Sequence, residues 1–378
     1  AHARGSCLGS DIRADRDLPP TNRSAMDGYA LRSADVKGFS AGLTLIGEAA
    51  AGSASSPKVT AGTCVSIFTG AVLPPGADAV VKVEHTKEAD GVVTVLTPVN
   101  SGDDIRKRGE ETARGSTVLT KGTILGPVQI GLCAAVGKAV LKVYRPPGVA
   151  VICTGSELVK PDAPVKPWQI RDSNGPALCT ALVDAGCNKP LYRIVRDSEA
   201  ALRRVLKTVL RSRDIVLLSG GVSVGRYDLV PQIVKEIGAR IQFHKVAIKP
   251  GKPLLYATTG RNQHIFGLPG NPLSVLTGFH EFVLPAIRHL SGVREQDCRP
   301  SIHLPLGETV TPKGKRLEHV LVKRVSTETG LRLFPVLSQG SADLLSASQA
   351  DGVAVLPRDK RKCQAGCHVE FRSWRPLS

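Results

Sequence analysis

Residues 148–158 read GVAVICTGSEL and residues 214–221 read DIVLLSGG. Each is a short apolar run ending in glycine beside a polar residue, which predicts a buried strand closing in a tight turn. Helical spacing fills the interval. Asn174 is placed to cap a helix with Pro176 near its start and Gly186 just past its end. LYRIV (191–195) reads as the next strand, and Leu202, Val205, Leu206, Val209 and Leu210 then mark the buried face of a helix over 198–211. On its other face Arg203, Arg204, Lys207 and Arg211 are expected to be solvated. Val230, Ile233, Val234 and Ile237 set a further helix, strands are predicted near 241–247, 253–258 and 263–268, and Asn271 is placed to cap a long helix that begins at Pro272 and runs to about Leu290. Such alternation predicts a mostly parallel, doubly wound sheet with ligands at the carboxyl ends of its strands.

On either side the pattern changes. From Leu43 to about Val99 short Val- and Thr-rich runs are broken by Gly and Pro, which predicts a compact β domain. A charged, turn-rich stretch, SGDDIRKRGEETARG (101–115), leads into GTILGPVQIGLCAAVG (122–137), and Pro146 and Pro147 mark a boundary. From about 294 the text returns to short strands. The expected fold class is therefore mixed α/β and β, multidomain, with a central doubly wound α/β domain flanked by small β domains.

The 378 residues and 40.0 kDa favour more than one domain. No stretch approaches the roughly 20 apolar residues of a membrane helix, so a soluble protein without membrane insertion is expected. A net charge of +17 favours anionic ligands. Nine cysteines spread from Cys7 to Cys367 without a CxxC pair point to reduced thiols in a cytosol rather than a disulfide framework or a zinc ribbon, and the close pair Cys363 and Cys367 has no second ligand pair. The sequence opens on Ala1, has Met26 as its only methionine and shows no signal peptide at this start, as expected of a fragment or a processed chain.

Four strand ends in the α/β region carry polar residues, most of them beside glycine: Thr154–Glu157, Arg196–Asp197, Ser219–Ser223 and Leu268–Pro272. Glycine lets backbone N–H groups approach a phosphate or another oxyanion. Glu157, Asp197 and Asp228 could converge at that edge to hold a hard cation such as Mg²⁺ against a substrate phosphate, or serve as helix caps and dipole partners. Lys245, Lys249 and Lys252, around the Pro-Gly turn of KVAIKPGKP, read as an anion clamp or as a solvated loop. In DDIRKRGEE, Arg106 and Arg108 could bind an anion or be neutralised by Asp103, Asp104, Glu110 and Glu111.

The segments SAMDGYAL, FTGAVLPPGADAVVKVE, DIRKRGEE, VAVICTGSELV, QIRDSNGPAL, LLSGGVSVGRYD, AIKPGKP and GLPGNPLSVLTGF resemble, in order and spacing, the molybdenum insertases, a family that includes bacterial MoeA and the E domain of gephyrin. SGGVSVG and TGSEL belong to a wider superfamily, whereas SAMDGYA with PGNPLS is more specific. The resemblance implies an elongated homodimer of four-domain chains. Here these would be a linker domain of 8–24 and 112–146, a β domain of 25–111, a MogA-like α/β molybdopterin-binding domain of 147–293 and a small β domain of 294–378. In the family each active site joins the α/β domain of one subunit to the β domain of the other. The implied reaction inserts molybdenum from molybdate into adenylylated molybdopterin with release of AMP and Mg²⁺ assistance, downstream of a molybdopterin adenylyltransferase.

Carried over by motif, catalysis falls to Asp27, Glu157, Asp197 and Asp228, the last three also as metal ligands. Substrate contacts fall to Thr69, Arg106, Ser223, Lys245, Lys249, Pro269, Pro272, Ser274 and Ser341. Two positions depart from the family pattern: Glu111 stands where Asp is usual, and Leu321 where an Arg is usual, which would remove one anion contact. The family also begins with more N-terminal helix, so a weaker dimer is expected. A non-catalytic, gephyrin-like scaffold and a tungstate-using homologue are the alternatives. Nucleic-acid binding lacks any recognition motif or aromatic interleaving, with aromatics at only 4%.

Overall fold

The computed structural model describes residues 3–37, 41–53, 55–221, 229–312, 314–358, 360 and 362–374. The chain packs into two compact units. One holds Ser10–Lys121 and Leu125–Lys142, the other Gly5–Gly9, Gly122–Ile124 and Val143–Ser378.

The first unit is built on a six-stranded sheet in the order Ala79–Lys82, Gly28–Leu31, Thr63–Ile67, Ala41–Ala49, Val92–Val95, Thr86–Ala89. Alternating apolar residues fill both faces: Leu31, Leu43 and Val93 bury on one, Ala30, Val65 and Val80 on the other. The strands expected over 43–99 are present, and Gly28–Leu31 joins them from the MDGYA stretch. Its glycine is sterically required, because a Cβ on Gly28 would lie 1.9 Å from the Val81 carbonyl oxygen. The GTILGPVQIGLCAAVG stretch supplies a helix, Pro127–Ala135, which starts on its proline.

In the second unit the strands Leu191–Val195, Val149–Thr154, Ile215–Ser219 and His264–Leu268 run parallel in that order, and Leu255–Thr258 and Arg240–His244 complete the sheet antiparallel. Strand alternation divides the core. Ala150, Ile152, Val216 and Leu218 face Leu202, Leu206, Val230 and Ile233 of the helices Glu199–Val209 and Leu229–Glu236. On the other side Val149, Val151, Ile215 and Leu217 face Leu178, Leu182, Val275 and Phe279. The expected doubly wound sheet is thus observed.

Three local expectations need correction. The long helix from Pro272 is interrupted: its α-turns Pro272–Gly278 and Leu284–Leu290 are separated by a π-turn at Phe279–Val283. Pro285 gives the reason, since it has no N–H to offer the Glu281 carbonyl four residues earlier. The freed carbonyl accepts a hydrogen bond from Arg299 Nη2 at 2.8 Å. The arginine-rich face of the 199–209 helix is only partly solvated. Arg203 is ion-paired with both Glu199 and Glu236, while Arg204, Lys207 and Arg211 are exposed. The third correction concerns Asn174 and Asn271, which stand at helix starts without using their side chains as caps.

The C-terminal sheet has the order Ile248–Lys249, Leu317–Thr327, Gly352–Leu356, His368–Ser373, Ile302–Pro305, with Gly330–Pro335 also paired to Leu317–Thr327. Its first strand comes from KVAIKPGKP: Ile248 and Lys249 pair in parallel with Leu317 and Glu318. The lysine turn is therefore pinned to this sheet.

All nine cysteines are free thiols, most of them buried. Among the described residues no helix is long and apolar enough to cross a membrane.

Candidate functional site

A cavity of about 1350 Å³ in the second unit opens at the carboxyl ends of the parallel strands. Its wall includes Glu157 and Asp197 after two neighbouring strands, Gly220 and Gly221 after a third, and Pro269, Pro272 and Ser274 after the fourth. Lys249 and Lys252 come from the pinned turn, and Arg316, Leu321 and Ser341 from the C-terminal region.

Asp172 and Asn174 organise the rim. Asp172, 2% exposed, accepts hydrogen bonds at Oδ1 from the backbone N–H groups of Asn174 (3.0 Å) and Gly175 (3.1 Å), and at Oδ2 from the Tyr192 hydroxyl (2.6 Å). It therefore caps the helix start that Asn174 was expected to cap. Burial, then the hydrogen bond and charge of Asp172, push the Tyr192 phenol strongly up, so it stays a donor. The Asn174 amide is left to donate to Ser219 Oγ (3.0 Å) and to the Gly270 carbonyl (2.7 Å). Asn271 acts similarly, donating to Ser341 Oγ at 2.7 Å, while the Ser341 carbonyl accepts from the Leu273 N–H at 3.0 Å. The expected PGNPLS loop and Ser341 are thus brought together.

Glu157 and Asp197 are both exposed to the cavity, and one oxygen of Asp197 accepts from the Ser156 N–H at 3.2 Å. Two carboxylates at adjacent strand ends are hard oxygen donors of the kind Mg²⁺ takes. Among the described residues no three His, Cys, Asp or Glu side chains gather to hold a metal, and Asp228 and Ser223 lie outside the described residues.

The expected anion clamp is redistributed. Lys249 lines the cavity and pairs with Glu318 (Nζ to Oε1, 3.0 Å). Lys252 is exposed on the same wall. Lys245 is exposed but not on that wall; its φ of 74° places it in a left-handed turn before the lysine loop. Leu321 lines the cavity from an apolar cluster with Leu273, Ala347 and Val353, so the departure from Arg is absorbed by packing. Sequence reasoning passed over Arg316, on the same wall, whose Nη1 donates to the Ile248 carbonyl at 3.2 Å. Its only signal was a cation one residue before a strand. Asp172 stood in the quoted QIRDSNGPAL, but its buried role depends on Tyr192, twenty residues away.

The first unit brings Asp27 and Thr69 together. Asp27 Oδ1 accepts from both the N–H (2.7 Å) and the hydroxyl (2.8 Å) of Thr69. Those two bonds hold the exposed Asp27 carboxyl below its usual range and fix it ionised. Arg106 is exposed and is met by Glu110 (3.1 Å) and by Glu111, whose side chain reaches the guanidinium. Arg108 pairs likewise with Asp17 at 2.6 Å.

Comparison with known proteins agrees with this architecture. Residues 1–137 match the MoeA N-terminal region (domain I and II), 150–289 a probable molybdopterin binding domain, and 303–374 the MoeA C-terminal region (domain IV). The molybdopterin molybdenumtransferase of Staphylococcus aureus (strain MSSA476) is 35% identical over 96% of this chain and 87% of its own length. That of Nostoc sp. (strain PCC 7120) is 37% identical over 97% and 86%. A solved molybdopterin biosynthesis MoeA protein from Pyrococcus horikoshii superposes with a TM-score of 0.80 at 27% identity, covering 98% of this chain and 92% of that one. The chain belongs to the MoeA family, a family of transferases in molybdenum cofactor biosynthesis.

Proposed function

We propose that this chain transfers molybdenum from molybdate into adenylylated molybdopterin and releases AMP. The observation that carries the reading is the second-unit cavity, where a carboxylate pair, Glu157 and Asp197, and a cationic wall, Lys249, Lys252 and Arg316, share one space of about 1350 Å³. That volume suits a nucleotide-linked pterin. The cations offset substrate charge, and the glycine turns at 220–221 and 270 let backbone approach the phosphates. Glu157 and Asp197 would hold Mg²⁺, which when bound draws charge from the phosphoanhydride oxygens.

The test is incubation with adenylylated molybdopterin, Mg²⁺ and molybdate, reading AMP release and reconstitution of a molybdenum-free apoenzyme. Both are expected, and chelation of Mg²⁺ should suppress AMP release. Neither product at saturating substrate would overturn the proposal in favour of a scaffold, and activity with tungstate alone would reassign the metal.

We infer further that the working form is a homodimer supplied by a molybdopterin adenylyltransferase, in the cytoplasm. Val128 and Val140, 78% and 90% exposed in the first unit, offer apolar surface for a second copy, and the free thiols suit a reducing compartment. Sedimentation should give twice the chain mass, and a monomer at micromolar concentration would refute the dimer.

A further inference from the structure

A second cavity, of about 250 Å³, lies where the 284–290 helix meets the outer strands of the C-terminal sheet, and it shares no lining residue with the larger one. Its wall holds three arginines, Arg288, Arg299 and Arg372, together with Ser301 and Ser373, and no carboxylate. The arginines differ in how their charge is met. Arg372 is compensated by Glu281 (3.0 Å) and Glu370 (3.0 Å), neither of which lines the cavity. Arg288 and Arg299 have no carboxylate within ion-pair distance among the described residues. Among the described residues Arg288 donates to the Cys298 carbonyl (3.2 Å), and Arg299 to the Glu281 carbonyl left open by Pro285, with its guanidinium over the Phe282 ring.

Arg288 is half-buried and Arg299 exposed, and a half-buried cation without a paired carboxylate is costly to hold. Here they are fixed in orientation by backbone carbonyls, so each fork is preorganised rather than free to turn to solvent. Apolar walls from Leu284, Ile302 and Phe371 lower the local dielectric and strengthen any charge contact made inside. His280, also on the wall, is pushed by burial down to about 4 and is neutral at pH 7, so it adds a hydrogen-bonding group without further charge. Two planar forks and two hydroxyls on one wall can coordinate a single anion at once.

We propose that this cavity is a binding site for a small tetrahedral oxyanion of the phosphate class, either free or as the phosphoryl group of a compact monoester. The volume is below that of ordinary drug-sized ligand pockets, which sets the size limit. The site is separate from the one proposed for catalysis, and its test requires no turnover.

Titration calorimetry with inorganic phosphate, and in a parallel arm with glycerol 3-phosphate, distinguishes the two sources: the tighter of the two is the native chemistry. Saturable binding to the wild-type chain is expected. It should weaken at least tenfold in Arg288→Gln and in Arg299→Gln and persist in Lys249→Gln, which alters only the larger cavity. Arg299 is exposed, so Arg299→Gln should keep the fold, as its melting temperature without phosphate would verify. Absence of saturable binding in the wild type overturns the proposal. So does binding that survives both arginine changes, or that is lost only in Lys249→Gln, since phosphate would then occupy the larger cavity.

Discussion

The side-chain amide of Asn174 reaches the backbone carbonyl of Gly270 at 2.7 Å while also holding Ser219 at 3.0 Å, so a helix start ties together the turns that follow two neighbouring parallel strands. Those turns carry Gly220, Gly221 and Gly270, to which the proposed function assigns the approach of phosphate. Asn174→Ala should lower stability by about 1–3 kcal/mol, the sum of two ordinary hydrogen bonds. AMP release should fall at least about tenfold, more than that stability loss explains at saturating substrate. Steady-state kinetics beside urea denaturation checks both, and unchanged kcat would reduce Asn174 to a structural tie.

Tyr192 supports the same rim from below. Tyr192→Phe removes the donor to Asp172 Oδ2 and leaves a buried carboxylate oxygen short of a partner. A cost of about 1–3 kcal/mol is expected in chemical denaturation. A loss below about 0.5 kcal/mol would mean that water replaces the phenol.

The sheet and its helices were legible because Val149–Thr154 and Ile215–Ser219 are short, apolar up to a final Thr or Ser, buried throughout and followed directly by glycine, the pattern of strands covered on both faces. The family motifs singled out Asp27, Thr69, the PGNPLS loop and Ser341, and the fold brings Asp27 to Thr69 and that loop, through Asn271, to Ser341. Local patterns could not show that Asp172 rather than Asn174 caps the helix, because that choice depends on Tyr192 competing for the carboxylate and on Gly270 competing for the amide. Nor could they show that KVAIKPGKP crosses to the C-terminal sheet, since a two-residue strand has no periodicity to read. The π-turn at Phe279–Val283 was signalled by Pro285, and an uninterrupted apolar helical pattern hid it.

Gly28 leaves no room for a side chain. Gly28→Ala must move the Gly28–Leu31 and Ala79–Lys82 strands apart to clear the Val81 carbonyl, at about 3 kcal/mol or more. Limited proteolysis should then cut within 28–82 while the second unit remains intact. Equal resistance to wild type would show that the strands relax at little cost.

His280 makes the second unit sensitive to mild acid. Its ring stacks on Trp374 at 5.6 Å and 14°, and burial lowers its pKa from 6.5 to about 4. The folded chain binds this proton more weakly than the unfolded chain. The contribution is therefore fully present above about pH 6.5 and is lost progressively as pH falls toward 4, up to on the order of 3 kcal/mol. His280→Gln, which cannot titrate, should flatten denaturation midpoints between pH 6.5 and 4. An unchanged slope would assign the acid sensitivity to other groups.

Lys249 and Glu318 set the charge of the larger cavity before substrate arrives. Their 3.0 Å pair lies on the cavity wall, with Glu318 only 12% exposed at the side chain, so an entering anion must compete with a carboxylate that water screens poorly. Removing either partner should therefore act in opposite directions. Glu318→Gln keeps the shape and a hydrogen-bond acceptor for Lys249 but deletes the competing charge, and should tighten binding of an anionic substrate by up to about tenfold, ~1.4 kcal/mol. Lys249→Met keeps the aliphatic stem but removes a positive charge from the cavity wall, and should weaken binding by at least as much. Raising the ionic strength should shrink both differences, because part of each is screened Coulomb energy. Measured substrate affinities that move the same way in both variants would show that the pair acts by packing the lysine turn against the C-terminal sheet rather than through its charge.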